Sequence, residues 1–280
     1  MSIVVNNNIA SLIAQRNLNN NTQNLVKSIE RLSSGFRINR ASDDAAGLSI
    51  SENLRSQIRG NKQAMNNIQD GINLLQIAES GLTVINENIQ RVRELCVQAA
   101  NETNGTAEKS AILSEITARL ADIDRICKST SFNSIHLLDG TTSSVRIQIG
   151  AGAAASINTL DLSSVLVNSN GSSLGITLSV SASTWTSDNV RSYLTSLTTA
   201  LGSITSRRSN LGAYQNRLES ALDNLTIMTE NLQSSESRIR DVDVAQESAT
   251  MTKYQILQQA SASVLAQANT LPQIALMLLQ

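Results

Sequence analysis

The residues able to do acid–base, nucleophilic or metal chemistry are few and scattered. His136 is the single histidine in 280 residues, so a His-Glu-x-x-His metal helix cannot be written, and a Ser-His-Asp relay would depend on that one imidazole. It lies in Ile135-His136-Leu137-Leu138 beside the turn pair Asp139-Gly140, where a solvated or hydrogen-bonded structural role is the simpler reading. Cys96 and Cys127 fit no metal-ligand spacing, and two thiols make no disulfide framework; both read as small buried apolar residues. Gly150-Ala151-Gly152 lacks the third glycine of a dinucleotide loop and the Lys-Ser/Thr of a triphosphate loop, so it reads as a turn. The carboxylate pairs Asp43-Asp44, Asp122 with Asp124 and Asp241 with Asp243 read as helix caps or solvated faces. Asn-x-Ser/Thr at Asn101, Asn104, Asn170 and Asn224 carries little weight in an Asn-rich chain. No catalytic, cofactor-binding or metal-ligating residue emerges, no cofactor is expected, and the chain does not read as an enzyme.

The elements behind these residues are mostly helical. From Ile68 the apolar side chains fall at Ile72, Leu75, Ala78, Leu82, Ile85, Ile89, Val92, Cys96 and Ala99, in steps of three and four, which predicts one continuous amphipathic helix. After the turn Asn101-Glu102-Thr103-Asn104-Gly105 a second stripe runs through Leu113, Ile116, Leu120, Ile123 and Cys127, and so short a connection makes the pair antiparallel. With the turn centred near 103, Arg91 falls opposite Glu115, and Leu95 lies one helical turn further along from Arg91. All three sit beside the stripe rather than on it, so they should form one partly exposed patch. By the same geometry the level opposite Cys127 is position 79. Cys96 then lies about 25 Å away along the axis, too far for a disulfide.

The C-terminal half repeats the stripe at Leu211, Tyr214, Leu218, Ala221, Leu225, Met228, Leu232, Ser235, Ile239 and Val242. Each end adds a narrower one: Val5, Ile9 and Leu12, then Leu25, Ile29 and Leu32 at the front; Tyr254, Leu257, Ser261, Val264, Ala268 and Leu271 at the back. Faces so narrow have little to bury against inside one subunit and want partners. Gly35 after Leu32-Ser33-Ser34 predicts a helix C-cap, and Ser42-Asp43-Asp44 an N-cap with acidic residues in the first turn. Between about 132 and 185 the period changes to two, with strands expected at Val145–Ile149 and Ile176–Val180. The fold class is therefore mainly α: a long antiparallel helical bundle or coiled coil with a small mid-chain β region. The expected domains are residues 1–40 plus 245–280, a terminal helical inner core, and 41–244, the bundle carrying the β region.

Bulk properties exclude other classes. Six aromatic residues and one proline leave aliphatic burial as the route to a core. A net charge of −1 without like-charge blocks gives no footprint for nucleic acid. The apolar stretch Val264–Leu279 is broken by Gln267, Asn269, Thr270, Pro272 and Gln273, so membrane insertion is not expected. The first ten residues carry no cleavable leader pattern, which suggests a cytoplasmic protein or export without a cleaved signal peptide.

Several long motifs resemble one family. Leu32-Ser-Ser-Gly-Phe-Arg-Ile-Asn-Arg-Ala-Ser-Asp-Asp-Ala-Ala-Gly47, Gln90-Arg-Val-Arg-Glu-Leu-Cys-Val-Gln98, and Asp122-Ile-Asp-Arg-Ile126 with Phe132-Asn133 resemble N-terminal signatures of bacterial flagellins. Asn210-Leu-Gly-Ala-Tyr-Gln-Asn-Arg-Leu218, Glu236-Ser-Arg-Ile-Arg-Asp-Val-Asp243, Gln255-Ile-Leu-Gln-Gln-Ala260 and Leu265-Ala-Gln-Ala-Asn-Thr-Leu-Pro-Gln273 resemble C-terminal ones, in the same order. The likeness covers roughly 1–150 and 195–280. The central variable region is short, which suggests a near-minimal member. Departures are local: Cys96 where a small residue is usual, Ala245–Met251, and Gln280 at the end.

The resemblance implies a self-assembling subunit of the flagellar filament, extracellular and exported unfolded without a cleaved signal. Scarce prolines suit that route, since their isomerisation is slow. The terminal helices would be disordered in the free subunit and pair in the polymer, with Ile9, Leu12, Leu257, Val264 and Leu271 as assembly residues. Implied partners are further copies of the chain, the flagellar export apparatus, a flagellin chaperone, and the filament cap and hook-associated proteins. The resemblance also makes Arg91, Leu95 and Glu115 a patch recognised by the vertebrate Toll-like receptor for flagellin and hidden by subunit contacts in the filament. A hook–filament junction protein, or a coiled-coil surface scaffold unrelated to motility, is the alternative.

Overall fold

The computed structural model describes residues 7–142, 144–178 and 185–277, except for the side chains of Ser187 and residues 271–277. The chain divides into two compact units, Met1–Ser56 with Glu230–Gln280, and Gln57–Thr229. Among the described residues the helices are α1 (Ile9–Ser34), α2 (Ala45–Ala99), α3 (Thr106–Ser129), the single-turn α4 (Ala155–Asn158), α5 (Ser187–Arg240) and α6 (Val244–Met277).

In the Gln57–Thr229 unit every position of the stripe from Ile68 to Ala99 is buried: Ile68, Leu75, Ala78, Ile85, Ile89, Val92 and Cys96 have no exposed surface, and Ile72, the most open, keeps 6%. α3 returns antiparallel to α2. The Arg91 guanidinium reaches Glu115 Oε1 at 3.1 Å, and one turn earlier Arg119 donates to Asn88 Oδ1 at 3.3 Å. α5 runs along α2 in the opposite sense, with Gln215 donating to Glu79 and Thr226 to the Met65 sulfur. One apolar cluster joins the three helices, adding Ile116, Ile123, Leu211, Leu218 and Leu225. Because α2 is covered by two helices, its buried face is wider than a two-in-seven stripe, and Leu74 and Leu95 fall inside it at 3% and 2% exposure. The placement of Leu95 in an exposed patch is therefore corrected: it is core.

The expected β region is present, but among the described residues only one of its two expected strands forms. Ser131–Phe132 (β1) and Ile135–His136 (β2) form a hairpin whose central residues Asn133 and Ser134 have φ of 46° and 66°, the doubly left-handed turn that suits strand twist. Arg146–Gln148 (β3), within the strand expected at Val145–Ile149, pairs antiparallel with Thr159–Asp161 (β4). Residues 176–178 form no strand. The Ile176 amide donates to the Gly171 carbonyl, and its own carbonyl accepts the Tyr193 hydroxyl at 2.6 Å. Those backbone groups are thus taken before a ladder can form. Ser179 and Val180 lie outside the described residues.

In the other unit α1 ends as expected, with Gly35 in the left-handed region (φ 75°) and its amide donating to the Arg31 carbonyl. The N-cap of α2 is corrected. Asp44, not Ser42, caps the helix by accepting from the Gly47 amide at 2.9 Å, and no acidic residue lies in its first turn. Asp43 instead closes the preceding loop, accepting from the Asn39 and Arg40 amides and pairing with Lys27 at 2.7 Å. The connections 35–44 and 241–243 are stapled together by a bridge between Phe36 and Asp241 and by the Val242 amide donating to the Gly35 carbonyl. Arg240 stacks on Phe36 at 4.6 Å and pairs with Glu52 at 2.7 Å.

Candidate assembly surface

α1 and α6 lie antiparallel in a single chain, and several polar contacts cross between them. Asn8 donates to the Ala268 carbonyl at 2.8 Å, Asn21 to the Ser261 hydroxyl at 2.9 Å, and Gln258 to Thr22 at 3.2 Å. Near the stapled end Arg31 faces Glu247 at 3.7 Å. The side chains buried between the helices are mostly small or polar, with Ala14, Ser28 and Ala268 among them. Leu18 and Leu25 on α1, and Tyr254 and Ser261 on α6, are half-buried along the same seam.

The expected stripes straddle this seam instead of following it. Leu25, Leu32, Tyr254, Ser261 and Ala268 lie on it, whereas Ile9 (65% exposed), Leu12 (62%), Leu257 (37%) and Val264 (59%) lie off it, together with Ile13, Val26, Ile29 and Ile256. Leu271 is on α6 with its side chain outside the description, and Val5 lies outside the described residues altogether. Among the described side chains of the pair, Ala14, Ser28, Glu247 and Ala268 are buried, Leu18, Leu25, Leu32, Met251 and Leu265 are half-buried, and the aliphatics off the seam stay open to water.

On the α2–α3 hairpin Arg91 pairs with both Glu94 and Glu115 at 3.1 Å. These two carboxylates, Glu94 first, hold the guanidinium still further toward its charged form. Arg91 and Glu115 are open to solvent while Leu95 lies beneath them in the core. Glu94, missed as a member, is one turn from Arg91 on the same face, and that three-residue spacing was the available signal. Beside them a shallow groove is lined by Gln90, Arg93, Glu94, Val97 and Leu201.

The residues that opened the sequence reading stay apart. His136 is half-exposed, its Nδ1 4.0 Å from Asp139 Oδ2, and Asp139 is itself engaged by the Thr141 amide and hydroxyl. Cys96 and Cys127 are buried free thiols, each pushed up to about 12, chiefly by burial. No helix among the described residues is long and apolar enough to cross a membrane.

These features define a long-helix protein that keeps an aliphatic core in one unit and carries bulky aliphatics on the outside of its terminal helix pair. Residues 5–143 match the bacterial flagellin N-terminal helical region and residues 194–279 the bacterial flagellin C-terminal helical region. The chain is 44% identical over 279 residues to the flagellin of Halalkalibacterium halodurans, covering 99% of this chain and 100% of that one. It is 42% identical over 304 residues to the flagellin of Bacillus subtilis, covering 99% of each. The crystal structure of Bacillus cereus flagellin aligns with 57% of this chain and 88% of its own, at 28% identity and a TM-score of 0.50. The chain belongs to the bacterial flagellin family. It is a structural subunit of the flagellar filament and not an enzyme.

Proposed function

We propose that copies of this chain polymerise through α1 and α6, with Ile9, Leu12, Leu257 and Val264, joined by Leu271, buried between neighbouring copies. The observation that carries this reading is the set of bulky aliphatics the pair leaves in water, Ile9, Leu12, Ile29, Ile256, Leu257 and Val264 among them, while its buried side chains, among those described, are Ala14, Ser28, Glu247 and Ala268. A helix pair with so little of its apolar surface covered gains little to offset an ordering cost of about 1–2 kcal/mol per residue, so residues 1–40 and 245–280 order fully only when other copies cover them. Limited proteolysis tests this. Both ends should be cut in the monomer and protected in the filament, and equal digestion of the two forms would overturn the reading. On the same reading the product is extracellular, delivered by the flagellar export apparatus with a flagellin chaperone, and it meets the filament cap and hook-associated proteins. A hook–filament junction role predicts a scarce protein in sheared filaments; the bulk subunit dominates them.

A second reading concerns host recognition, favoured by the exposed Arg91–Glu115 pair with Glu94 beside it. The monomer presents this charged patch to the host Toll-like receptor for flagellin, with Arg91 as the anchor, and Leu95 contributes only by supporting it from the core. Arg91→Ala and Glu115→Ala should each weaken signalling by monomer in a reporter-cell assay. A full response from Arg91→Ala would refute the reading.

A further inference from the structure

Two Asn-Gly pairs occur in the chain, Asn104-Gly105 and Asn170-Gly171, and the fold treats them in opposite ways. Deamidation at such a pair requires the glycine amide nitrogen to attack the asparagine side-chain carbon, so it depends on whether that nitrogen and that side chain are free to meet. At Asn170-Gly171 both are tied. The Gly171 amide donates to Asp124 Oδ1 at 2.8 Å, and Asn170 Oδ1 accepts from the Ser173 amide at 2.8 Å. The backbone on either side is held as well, the Asn170 carbonyl accepting from Leu174 and the Gly171 carbonyl from Ile176.

At Asn104-Gly105 the tie is partial. The Asn104 side chain donates from Nδ2 to the Gln98 carbonyl at 2.7 Å. Its Oδ1 accepts nothing, and the Gly105 amide donates no hydrogen bond, among the described residues. Gly105 sits at the N-cap of α3 in extended backbone without a side-chain cap, and the turn from Asn101 to Gly105 is exposed apart from half-buried Asn104.

We infer that Asn104 is a site of spontaneous, non-enzymatic deamidation, and that the fold protects Asn170 from the same reaction. The Gly105 nitrogen forms a bond to Asn104 Cγ, the Cγ–Nδ2 bond breaks, and the proton lost by the amide leaves with the departing ammonia. The resulting succinimide takes up one water across either of its two carbonyl–nitrogen bonds, giving aspartate or isoaspartate. Either product is a carboxylate that cannot donate to the Gln98 carbonyl, so the tie between the turn and the last turn of α2 is lost. Each aged subunit then carries one more negative charge at the hairpin tip.

The test is mass spectrometry of tryptic peptides from the full-length chain after ageing in warm, mildly alkaline buffer, with fragmentation to locate the modified residue. Asn104 should convert several-fold faster than Asn170 in the folded protein, and the two should approach one rate in concentrated urea, where only the shared Asn-Gly chemistry remains. Asp124→Ala, which frees the Gly171 amide, should raise the Asn170 rate toward that of Asn104, and circular dichroism would verify that the variant is folded. Equal rates in the folded chain, faster loss at Asn170, or a difference that persists unchanged in urea would overturn the inference.

Discussion

Replacing Leu12 by alanine separates what a side chain does inside one chain from what it does between chains. Leu12 keeps 62% of its surface in water. The substitution removes three carbons, worth about 2.4 kcal/mol on full burial at about 0.8 kcal/mol per methylene. Scaled by the 62% that only a neighbouring copy can cover, the loss is about 1.5 kcal/mol per subunit added, or roughly a tenfold rise in critical concentration. In the isolated chain the same change is an exposed helix substitution and should alter stability by no more than about 0.5 kcal/mol. Sedimentation of filaments grown from sheared seeds measures the first quantity, and thermal unfolding of the monomer the second. An unchanged critical concentration would show that this face of α1 is not buried by neighbours. Destabilisation of the monomer by the same 1.5 kcal/mol would show that the face is used within the chain.

Three further outcomes follow from the packing and the charges. Ile89→Ala, at a fully buried position, should cost about 2–5 kcal/mol in urea unfolding. Cys96 and Cys127, both pushed up to about 12 by burial, should resist a thiol-reactive dye near neutral pH and react when urea unfolds the chain. Asp43 is held below its ordinary value of 3.8, first by its hydrogen bond to Lys27, against an opposing effect of burial. Its stabilising contribution is therefore full above 3.8 and is lost as pH falls through the lowered value. Asp43→Asn should weaken protection of the α1–α2 connection in hydrogen exchange at neutral pH, and the difference from wild type should shrink on acidification.

The helix and core of the bundle were readable because burial there is set by one period: residues from Ile68 to Ala99 recur at three and four, and all of them are covered. The pairing of Arg91 with Glu115 was readable for a related reason, since a short turn fixes which levels of a hairpin meet. Leu95 was misplaced because a single stripe counts one neighbour, whereas α2 has two. The strand expected at Ile176–Val180 failed because alternation shows which side chains want burial and says nothing about where the backbone amides go; the Gly171 carbonyl and the Tyr193 hydroxyl had already engaged Ile176. At the ends the expected stripes hold residues of both kinds, Leu25, Leu32, Tyr254, Ser261 and Ala268 on the seam and Ile9, Leu12, Ile29, Leu257 and Val264 off it, and the seam also uses Ala14, Asn21 and Ser28, which belong to no stripe. Hydrophobic periodicity misses those three because they meet the partner helix through a polar contact or a small side chain rather than through aliphatic burial.

Seeded growth with and without the terminal helices tests the central claim most directly. The purified full-length chain, added to sheared filament fragments, should extend them into filaments of uniform diameter by electron microscopy. A chain lacking residues 1–40 should keep the helical circular dichroism and cooperative unfolding of the Gln57–Thr229 unit yet fail to extend the same seeds. Extension by the truncated chain at the full-length rate would contradict assembly through α1 and α6.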